Sequence, residues 1–274
     1  MIIRKIKTAW KKFFIFRRKL IWRLGNNYKG RAKPTFICGV QRSGTTMLGE
    51  CLERSPQVWH YAESDQHAFH DYILRNNQMI KNLIDDSPYQ TLVFKPLTDS
   101  HRVKDLMSRF GNGVCIWMYR RYEDRANSAV VKFGTHNLEV LSDIANDQNL
   151  DIWQAQGLVK EDIELIKSFD YRSMKPEEAA TLFWYLRNKL YFNQQLDKDP
   201  KVLPVCYEEL IQNPEETMRK VCMHLDVPYH SFLIQGIHAR SLGKKKAPDI
   251  RDEIKDRCDD IYSKLDSIRL AIAS

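Results

Sequence analysis

The chain contains two kinds of apolar pattern, short continuous runs and longer helical repeats. The short runs are typical of buried parallel strands and cover Thr35–Val40, Thr91–Leu97, Val114–Tyr119 and Val202–Tyr207. The helical repeats cover Thr45–Arg54, Asp99–Phe110, Tyr122–Phe133, Lys175–Leu196 and Asn213–Leu225. Strands that alternate with helices predict an α/β fold of three layers, in which helices flank a central parallel sheet.

Charge divides the chain into an arm and a body. Residues 1–33 contain 12 Lys and Arg and no acid, whereas the other 241 residues contain 31 bases and 35 acids. The net charge of +8 therefore belongs to the arm, and the body has no positive excess of the kind that binds nucleic acid. We expect a basic amphipathic arm at residues 1–33, one domain at residues 34–274, and no nucleic-acid partner.

Aromatic residues lie between the bases of the arm, at Trp10, Phe13, Phe14, Phe16 and Trp22. This mixture predicts that residues 1–24 form a helix on an anionic membrane surface, with a helix docked on the body as the alternative. A flexible linker between the arm and the body is expected between Gly25 and Gly30. No apolar run is long enough for a secretory signal or a membrane span, so we expect a cytoplasmic chain with peripheral membrane contact.

Six cysteines are scattered without a CxxC pair, which predicts buried thiols rather than a disulfide or zinc framework. The sequence gives no indication of the oligomeric state.

The first predicted strand continues through a loop into a helix near Gly44. This order directs free backbone N–H groups and the positive end of a helix to one point, which suits phosphate or sulfate. Arg42 adds a cation, and Ser43, Thr45 and Thr46 add hydroxyl groups. The spacing of Gly39 and Gly44 matches a P-loop. Thr45, however, stands where a nucleoside triphosphatase has lysine, which argues against ATP or GTP hydrolysis.

A second strand–helix unit repeats this arrangement. Arg120 follows the strand that ends at Tyr119, and Ser128 lies about two turns into the next helix. Ligands bind at the carboxyl ends of strands in open α/β sheets, so Arg120 and Ser128 are candidates for a second phosphate site. Asp124 in the first turn can cap the helix or pair with an arginine. A surface helix with Arg–Asp pairs is the alternative interpretation.

Together these segments resemble the sulfotransferases that use 3′-phosphoadenosine 5′-phosphosulfate (PAPS). In that family an RSGTT loop, here residues 42–46, binds the 5′-phosphosulfate, and an R-x-x-x-D-x-x-x-S element, here Arg120 to Ser128, binds the 3′-phosphate. A strand that ends in Tyr-Glu also matches, which implies that Tyr207 lies near the adenine. The resemblance implies a sulfotransferase domain at residues 34–274. A late basic loop adds Ser241 and Lys244 as candidates for the 3′-phosphate.

Similarity to the tyrosylprotein branch implies catalytic roles for two further residues. A catalytic glutamate 21 residues after the loop arginine corresponds to Glu63, and a catalytic lysine beside a proline corresponds to Lys95. We therefore expect Glu63 to take the proton of an acceptor hydroxyl, and Lys95 and Arg42 to neutralise charge on the leaving group without a metal. A glycan or glycolipid acceptor is preferred, because the arm indicates a membrane surface.

Several alternatives remain open at this point. His60 or His67 could replace Glu63 as the base, and Glu63, His67 and His70 would share one face of a helix and could then hold a metal. A P-loop kinase that uses ATP and Mg²⁺ is a second function, and a non-catalytic scaffold at a membrane surface is a third.

Overall fold

The structure is a computed structural model that describes residues 2–237 and 246–273, with side chains for residues 13–237 and 246–272. The strands are β1 Lys33–Gly39, β2 Val58–Tyr61, β3 Phe69–His70, β4 Ile73–Leu74, β5 Thr91–Phe94, β6 Val114–Tyr119 and β7 Val202–Cys206. The α-helices are α1 Ile2–Gly25, α2 Thr45–Leu52, α3 Asn77–Asp85, α4 Val103–Arg109, α5 Tyr122–Phe133, α6 His136–Ala145, α7 Lys160–Lys167, α8 Pro176–Asn193, α9 Tyr207–Gln212, α10 Pro214–Leu225 and α11 Asp252–Ala273.

The main sheet consists of five parallel strands in the order β2-β5-β1-β6-β7. Phe36 of the central strand β1 is in register with Phe94 on β5 and with Cys115 on β6. β2 and β5 come first in the sequence after β1 and lie on one side of it, whereas β6 and β7 come later and lie on its other side. Such a reversal leaves a crevice at the carboxyl ends of the strands, where α/β proteins bind their ligands.

Both faces of the sheet are buried. Phe36 and Cys38 on β1 belong to a core with α4, α6, α8 and α11, whereas Ile37 between them belongs to a core with α2, α9 and α10. A strand that is covered on both faces consists of a continuous apolar run, which is why the sequence patterns predict these strands. The predicted three-layer α/β architecture is therefore confirmed.

The predicted elements differ from the observed ones mainly at their ends. β5 stops at Phe94 instead of Leu97, because Pro96 has no N–H to donate to a neighbouring strand. β7 stops at Cys206, because Tyr207 already begins α9. The apolar patterns miss β2, whose four residues alternate between buried and half-buried positions at the edge of the sheet.

The described part of α1 is docked on the body beside the edge strand β2. Lys19 is only 4% exposed, and its ammonium lies 3.6 Å from a carboxylate oxygen of Glu53 and 4.6 Å from the ring centroid of Trp59. Burial lowers the pKa of Lys19, although Glu53 acts against this shift.

Residues 26–30, predicted to be a flexible linker, are hydrogen-bonded to the body. The Gly30 amide donates to the Asp85 carbonyl at 2.7 Å, and the Tyr28 amide donates to the Pro88 carbonyl at 3.3 Å. Trp22 stacks on Tyr28 with the ring centroids 5.5 Å apart. Within the described residues, no helix combines the length and the apolar content needed to cross a membrane. All six cysteines are buried free thiols, as the sequence predicts.

Candidate active site

The loop between β1 and α2 is shaped for an anion. Arg42 and Gly44 both adopt left-handed backbone angles, with φ of 72° and 90°. A turn that contains such residues directs successive N–H groups into one concavity, and the N-terminus of α2 adds a partial positive charge there. The hydroxyl of Ser43 is buried and has no hydrogen-bond partner among the described residues. An oxyanion in this concavity would give that hydroxyl an acceptor.

Two glycines allow the close approach of backbone and ring that this loop requires. A Cβ on Gly39 would lie 2.2 Å from the Met118 carbonyl oxygen of β6, and a Cβ on Gly44 would lie 2.3 Å from the ring of Tyr207. Ser100 accepts a hydrogen bond from the Gly39 amide at 3.3 Å, which fixes the end of β1. Larger residues would therefore displace the loop from both neighbours.

On the β2–β5 side, the structure brings together three residues that are distant in sequence. The Lys95 ammonium lies 2.8 Å from a carboxylate oxygen of Glu63 and donates to the Thr46 hydroxyl at 3.0 Å. The side chains of Lys95 and Glu63 are only 7% and 19% exposed, so solvent screens this ion pair weakly. A carboxylate, a cation and the first turn of α2, where the anion loop ends, thus meet at the carboxyl ends of the strands.

On the β6–β7 side, Arg120 follows β6 and is buried. Its guanidinium Nε lies 3.8 Å from a carboxylate oxygen of Glu208, and the group lies over the Tyr207 ring at 4.4 Å from the centroid. Arg120 also donates to the carbonyl of Arg42 at 3.4 Å. Burial raises the pKa of Glu208, whereas hydrogen bonds from Cys206 and from backbone amides and the charge of Arg120 oppose this shift.

Arg42 joins the loop to this second group. Its Nε donates to the Ser128 hydroxyl of α5 at 3.1 Å, while the Arg42 side chain remains exposed. The predicted candidates Arg42, Arg120, Ser128 and Tyr207 therefore form one cluster. Their charges and hydroxyl groups suit a second phosphate.

Arg125 is a residue that sequence reasoning missed. It is fully buried below the loop and donates to the carbonyls of Gln41 at 3.0 Å and Ala180 at 2.6 Å. Burial, with a smaller effect of Arg42, lowers the pKa of Arg125 from its ordinary value. Its position five residues after Arg120, on the helix face that also carries Ala126 and Ala129, was the available signal. We infer that Arg125 positions the loop.

The structure does not place Glu63, His67 and His70 on one face of a helix, as the metal alternative requires. The segment 62–68 is a series of turns rather than a helix, so His67 and His70 do not align with Glu63. His67 is 79% exposed and bonded to Asp65. His60 is buried, and its ring occupies the space where a Cβ on Gly49 would lie. No group of three or more possible metal ligands occurs among the described residues.

Two predicted phosphate contacts, Ser241 and Lys244, lie outside the described residues. The chain continues at Lys246, whose carbonyl accepts a hydrogen bond from Asn127 of α5 at 3.2 Å. Asn127 is next to Ser128 in the sequence. The described chain therefore resumes near the cluster formed by Arg42, Arg120, Ser128 and Tyr207.

Comparison with known proteins gives one family. A sequence model of the family described as "Sulfotransferase domain" matches residues 32–251, which is more than half of the chain. No curated protein matches the sequence significantly.

One solved structure agrees with this result at the level of the fold, and two further sulfotransferases are less similar. A sulfotransferase domain from the curacin biosynthetic pathway is 16% identical, with a TM-score of 0.50 over 86% of this chain and 98% of that chain. A sulfotransferase from Alicyclobacillus acidocaldarius is 13% identical, with a TM-score of 0.46 over 87% and 94%. A sulfotransferase domain from the Synechococcus PCC 7002 olefin synthase is 14% identical, with a TM-score of 0.46 over 90% and 96%.

Proposed function

The chain belongs to the sulfotransferase family, and from this premise we propose that it transfers the sulfuryl group of PAPS to an acceptor hydroxyl and releases 3′,5′-ADP. The observation that carries this proposal is the contact of Lys95 with both Glu63 and Thr46. It brings a carboxylate and a cation to the end of the anion loop, at the first turn of α2, where the sulfuryl group would be held.

The residues present fit a donor with two charged ends. The concavity around Ser43 and Gly44 would hold the phosphosulfate, because it offers a buried hydroxyl without a partner and a helix N-terminus. Arg120 and Ser128 would hold the 3′-phosphate. Tyr207 lies against Gly44 and below Arg120, so its ring would pack beside the adenine.

Each catalytic side chain has a separate task in this proposal. In the transfer, the acceptor oxygen forms a bond to sulfur while the bond from sulfur to the phosphate oxygen breaks. Glu63 takes the proton of the acceptor hydroxyl on its carboxylate oxygen. Lys95 and Arg42 neutralise the negative charge that develops on the leaving phosphate. We expect these cations to supply the charge that Mg²⁺ supplies in kinases, so that no metal is required.

The exposed face of α1 supports a membrane-surface location. Phe16, Leu20 and Leu24 are exposed, although the opposite side of the helix contacts the body through Lys19 and Trp22. Apolar side chains in a segment rich in lysine and arginine match the chemistry of an anionic lipid surface. We therefore propose peripheral membrane binding, and we prefer a glycan or glycolipid as the acceptor.

The test is a transfer assay with sulfur-labelled PAPS against a panel of glycans, glycolipids, tyrosine peptides and simple alcohols. We expect label in an acceptor and release of 3′,5′-ADP, and a loss of roughly 10²–10⁴-fold in rate for Glu63→Gln. Glu50→Gln, at an exposed carboxylate on α2, is the matched control. Transfer by Glu63→Gln at the wild-type rate, with donor still bound, would show that Glu63 is not the base.

A further inference from the structure

Glu63 and Lys95 both lie beyond the paired part of their strands. The last residues in register are Tyr61 of β2 and Phe94 of β5, and Glu63 and Lys95 follow these two strands. The hydrogen-bond ladder therefore ends before it reaches either residue. The contact of 2.8 Å between their charged groups then depends on what holds the two backbone segments together further along the chain.

A series of turns joins Glu63 to the hairpin formed by β3 and β4. The Asp65 carbonyl accepts hydrogen bonds from the amides of Ala68 at 3.2 Å and Phe69 at 2.9 Å. Phe69 in turn pairs with Leu74 across the hairpin, and both residues are buried. The backbone from Glu63 to Leu74 is therefore one compact unit, so the contacts that fix the hairpin also fix the position of Glu63.

The hairpin depends on the rest of the molecule for its position. Each of its strands has two residues, and an isolated two-stranded hairpin is marginally stable at best. Its turn residues, Asp71 and Tyr72, have φ of 48° and 66°. Positive φ is uncommon for residues other than glycine, and turns of this kind favour Asn-Gly or Asp-Gly. Support from outside the hairpin is therefore required.

Thr98 and Asp99 supply this support from the segment that follows Lys95. The Thr98 hydroxyl donates to the Tyr72 carbonyl at 2.8 Å, and the Asp99 carboxylate accepts from the Leu74 amide at 2.9 Å. Thr98 and Asp99 are both buried, and a hydrogen bond is electrostatically stronger there than in water. We call these two hydrogen bonds the hairpin clamp.

The hairpin clamp is itself held in place. Oδ2 of Asp99 accepts from Leu74, while Oδ1 accepts from Nε and Nη2 of Arg102 at 2.9 and 2.7 Å. The next residue, Ser100, accepts from the Gly39 amide at 3.3 Å. The segment after Lys95 is thus tied to the hairpin on one side and to the end of β1, before the anion loop, on the other.

We propose that Asp99 is a positioning residue for the contact between Glu63 and Lys95, and that Thr98 assists it. The hairpin clamp joins the unit that continues from Glu63 to the segment that continues from Lys95. This inference rests on the proposed sulfotransfer function, because it explains how the base and the cation keep the distance that the transfer needs. Asp99 acts through the hairpin and not on the acceptor.

NMR of the full-length protein, with isotopically labelled lysine side chains, measures this contact without an acceptor. An ammonium group that is buried and paired with a carboxylate exchanges its protons slowly with water and gives a resolved signal, which Lys95→Arg assigns. We expect this signal for Lys95 in the wild type and its loss in Asp99→Ala. Absence of the signal in the wild type, or an unchanged signal in Asp99→Ala, would overturn the proposal.

Asp162→Ala separates a positioning role from a general loss of stability. Asp162 of α7 is also buried, and it also accepts from one backbone amide, that of Val159 at 3.0 Å, and pairs with one cation, Lys189. Its removal should lower the free energy of unfolding as Asp99→Ala does, and leave the Lys95 signal in place. Equal loss of the signal in both variants would show that Asp99 only stabilises the fold.

Thr98→Val keeps the test decisive if Asp99→Ala does not fold. Valine has nearly the shape of threonine, and the exposed Tyr72 can then bond to water. We expect a shifted Lys95 signal, which Thr98→Ser should restore because serine keeps the hydroxyl. Thr181→Val, which removes a hydroxyl–carbonyl bond of the same length in α8, should leave it unchanged. An unchanged signal in Thr98→Val would remove Thr98 from the clamp and, without a folded Asp99→Ala, would overturn the proposal.

Turnover and donor binding separate this inference from the proposed function. With the acceptor that the panel identifies, Asp99→Ala should lower kcat by roughly 10²-fold, the effect of reacting groups misplaced by about 1 Å. The Kd of 3′,5′-ADP should stay within a few fold of the wild type, and an equal loss in Kd would contradict a role confined to Glu63 and Lys95. Failure of 3′,5′-ADP to bind the wild type would instead overturn the proposed function and leave the NMR result valid.

Discussion

The two sides of the central strand β1 carry different kinds of contact. On the β2–β5 side, Lys95, which follows β5, contacts Glu63, which follows β2, at 2.8 Å and Thr46 of α2 at 3.0 Å. On the β6–β7 side, Arg120 is surrounded by a ring, a carboxylate and a carbonyl at 3.4–4.4 Å. The first side has short contacts between opposite charges, and the second has a cation held above a flat aromatic surface.

This difference indicates a division of work within the proposed reaction. A short, weakly screened ion pair can exchange a proton and stabilise developing charge, which changes the rate of the chemical step. A cation above a ring, with Ser128 and Arg42 nearby, provides fixed charge for a phosphate, which changes affinity. Variants on the β2–β5 side should therefore lower kcat, and variants on the β6–β7 side should raise Kd.

The largest effect is expected for Lys95→Ala. Removal of the cation leaves the carboxylate of Glu63 without its partner and the leaving phosphate without its charge. We expect kcat to fall by about 10³-fold, with the Kd of 3′,5′-ADP changed less than tenfold. Steady-state kinetics and calorimetry on the same sample measure both quantities. Lys104→Ala, an exposed lysine on α4, is the control. A loss confined to Kd would contradict the division.

Arg120→Ala should have the second largest effect, and it should appear in binding. Loss of hydrogen bonds to a charged phosphate costs about 1.5–3 kcal/mol, which corresponds to a rise of roughly 10–100-fold in the Kd of 3′,5′-ADP. At saturating PAPS, kcat should remain within a few fold of the wild type. Arg121→Ala, at the exposed neighbour, should bind normally. Equal losses in the two variants would remove the special role of Arg120.

Gly44→Ala connects the two sides, because Gly44 lies against Tyr207. The added Cβ would meet the ring at 2.3 Å in a left-handed conformation, so the loop and the ring must separate. We expect 3′,5′-ADP to bind about tenfold more weakly. Gly134→Ala also places a Cβ at a positive φ, of 59°, but that Cβ would have nothing within 4 Å, so this variant should not change affinity. Normal affinity in Gly44→Ala would show that donor binding does not need the close contact between Gly44 and Tyr207.

The smallest effect is expected at α1, which belongs to neither side of β1. Leu24 is 82% exposed, and Leu24→Ser should weaken sedimentation with anionic vesicles a few fold. Affinity for 3′,5′-ADP should remain that of the wild type. Val131→Ser, at an exposed apolar residue on α5, is the control. Identical vesicle binding by all three proteins would argue against insertion of this face.

The sequence predicts local geometry better than distant contacts. The RSGTT loop is predictable because a strand, two glycines and a helix start are adjacent in the chain. Burial of Lys19 and Arg125 is not predictable, because it depends on partners that folding brings from elsewhere, such as Glu53 and the carbonyl of Ala180. The edge strand β2 is missed because only one of its faces is fully buried, which leaves no continuous apolar run.

The pair formed by Glu63 and Lys95 shows the same limit in another form. The resemblance to a family suggests Glu63 and Lys95 separately. Their contact exists because β2 and β5 are neighbours in parallel register, with Tyr61 opposite Phe94. Neither motif predicts that β5 lies beside β2, because α3 separates the two strands in the sequence.

Calorimetric titration of the full-length protein with 3′,5′-ADP, in the presence and absence of ATP and Mg²⁺, tests the central claim most directly. The account predicts saturable binding of one 3′,5′-ADP per chain, which ATP with Mg²⁺ does not displace. It also predicts that Arg120→Ala weakens this binding and that Glu63→Gln leaves it unchanged. Binding of ATP with Mg²⁺ in preference to 3′,5′-ADP, or no binding of 3′,5′-ADP, would contradict it.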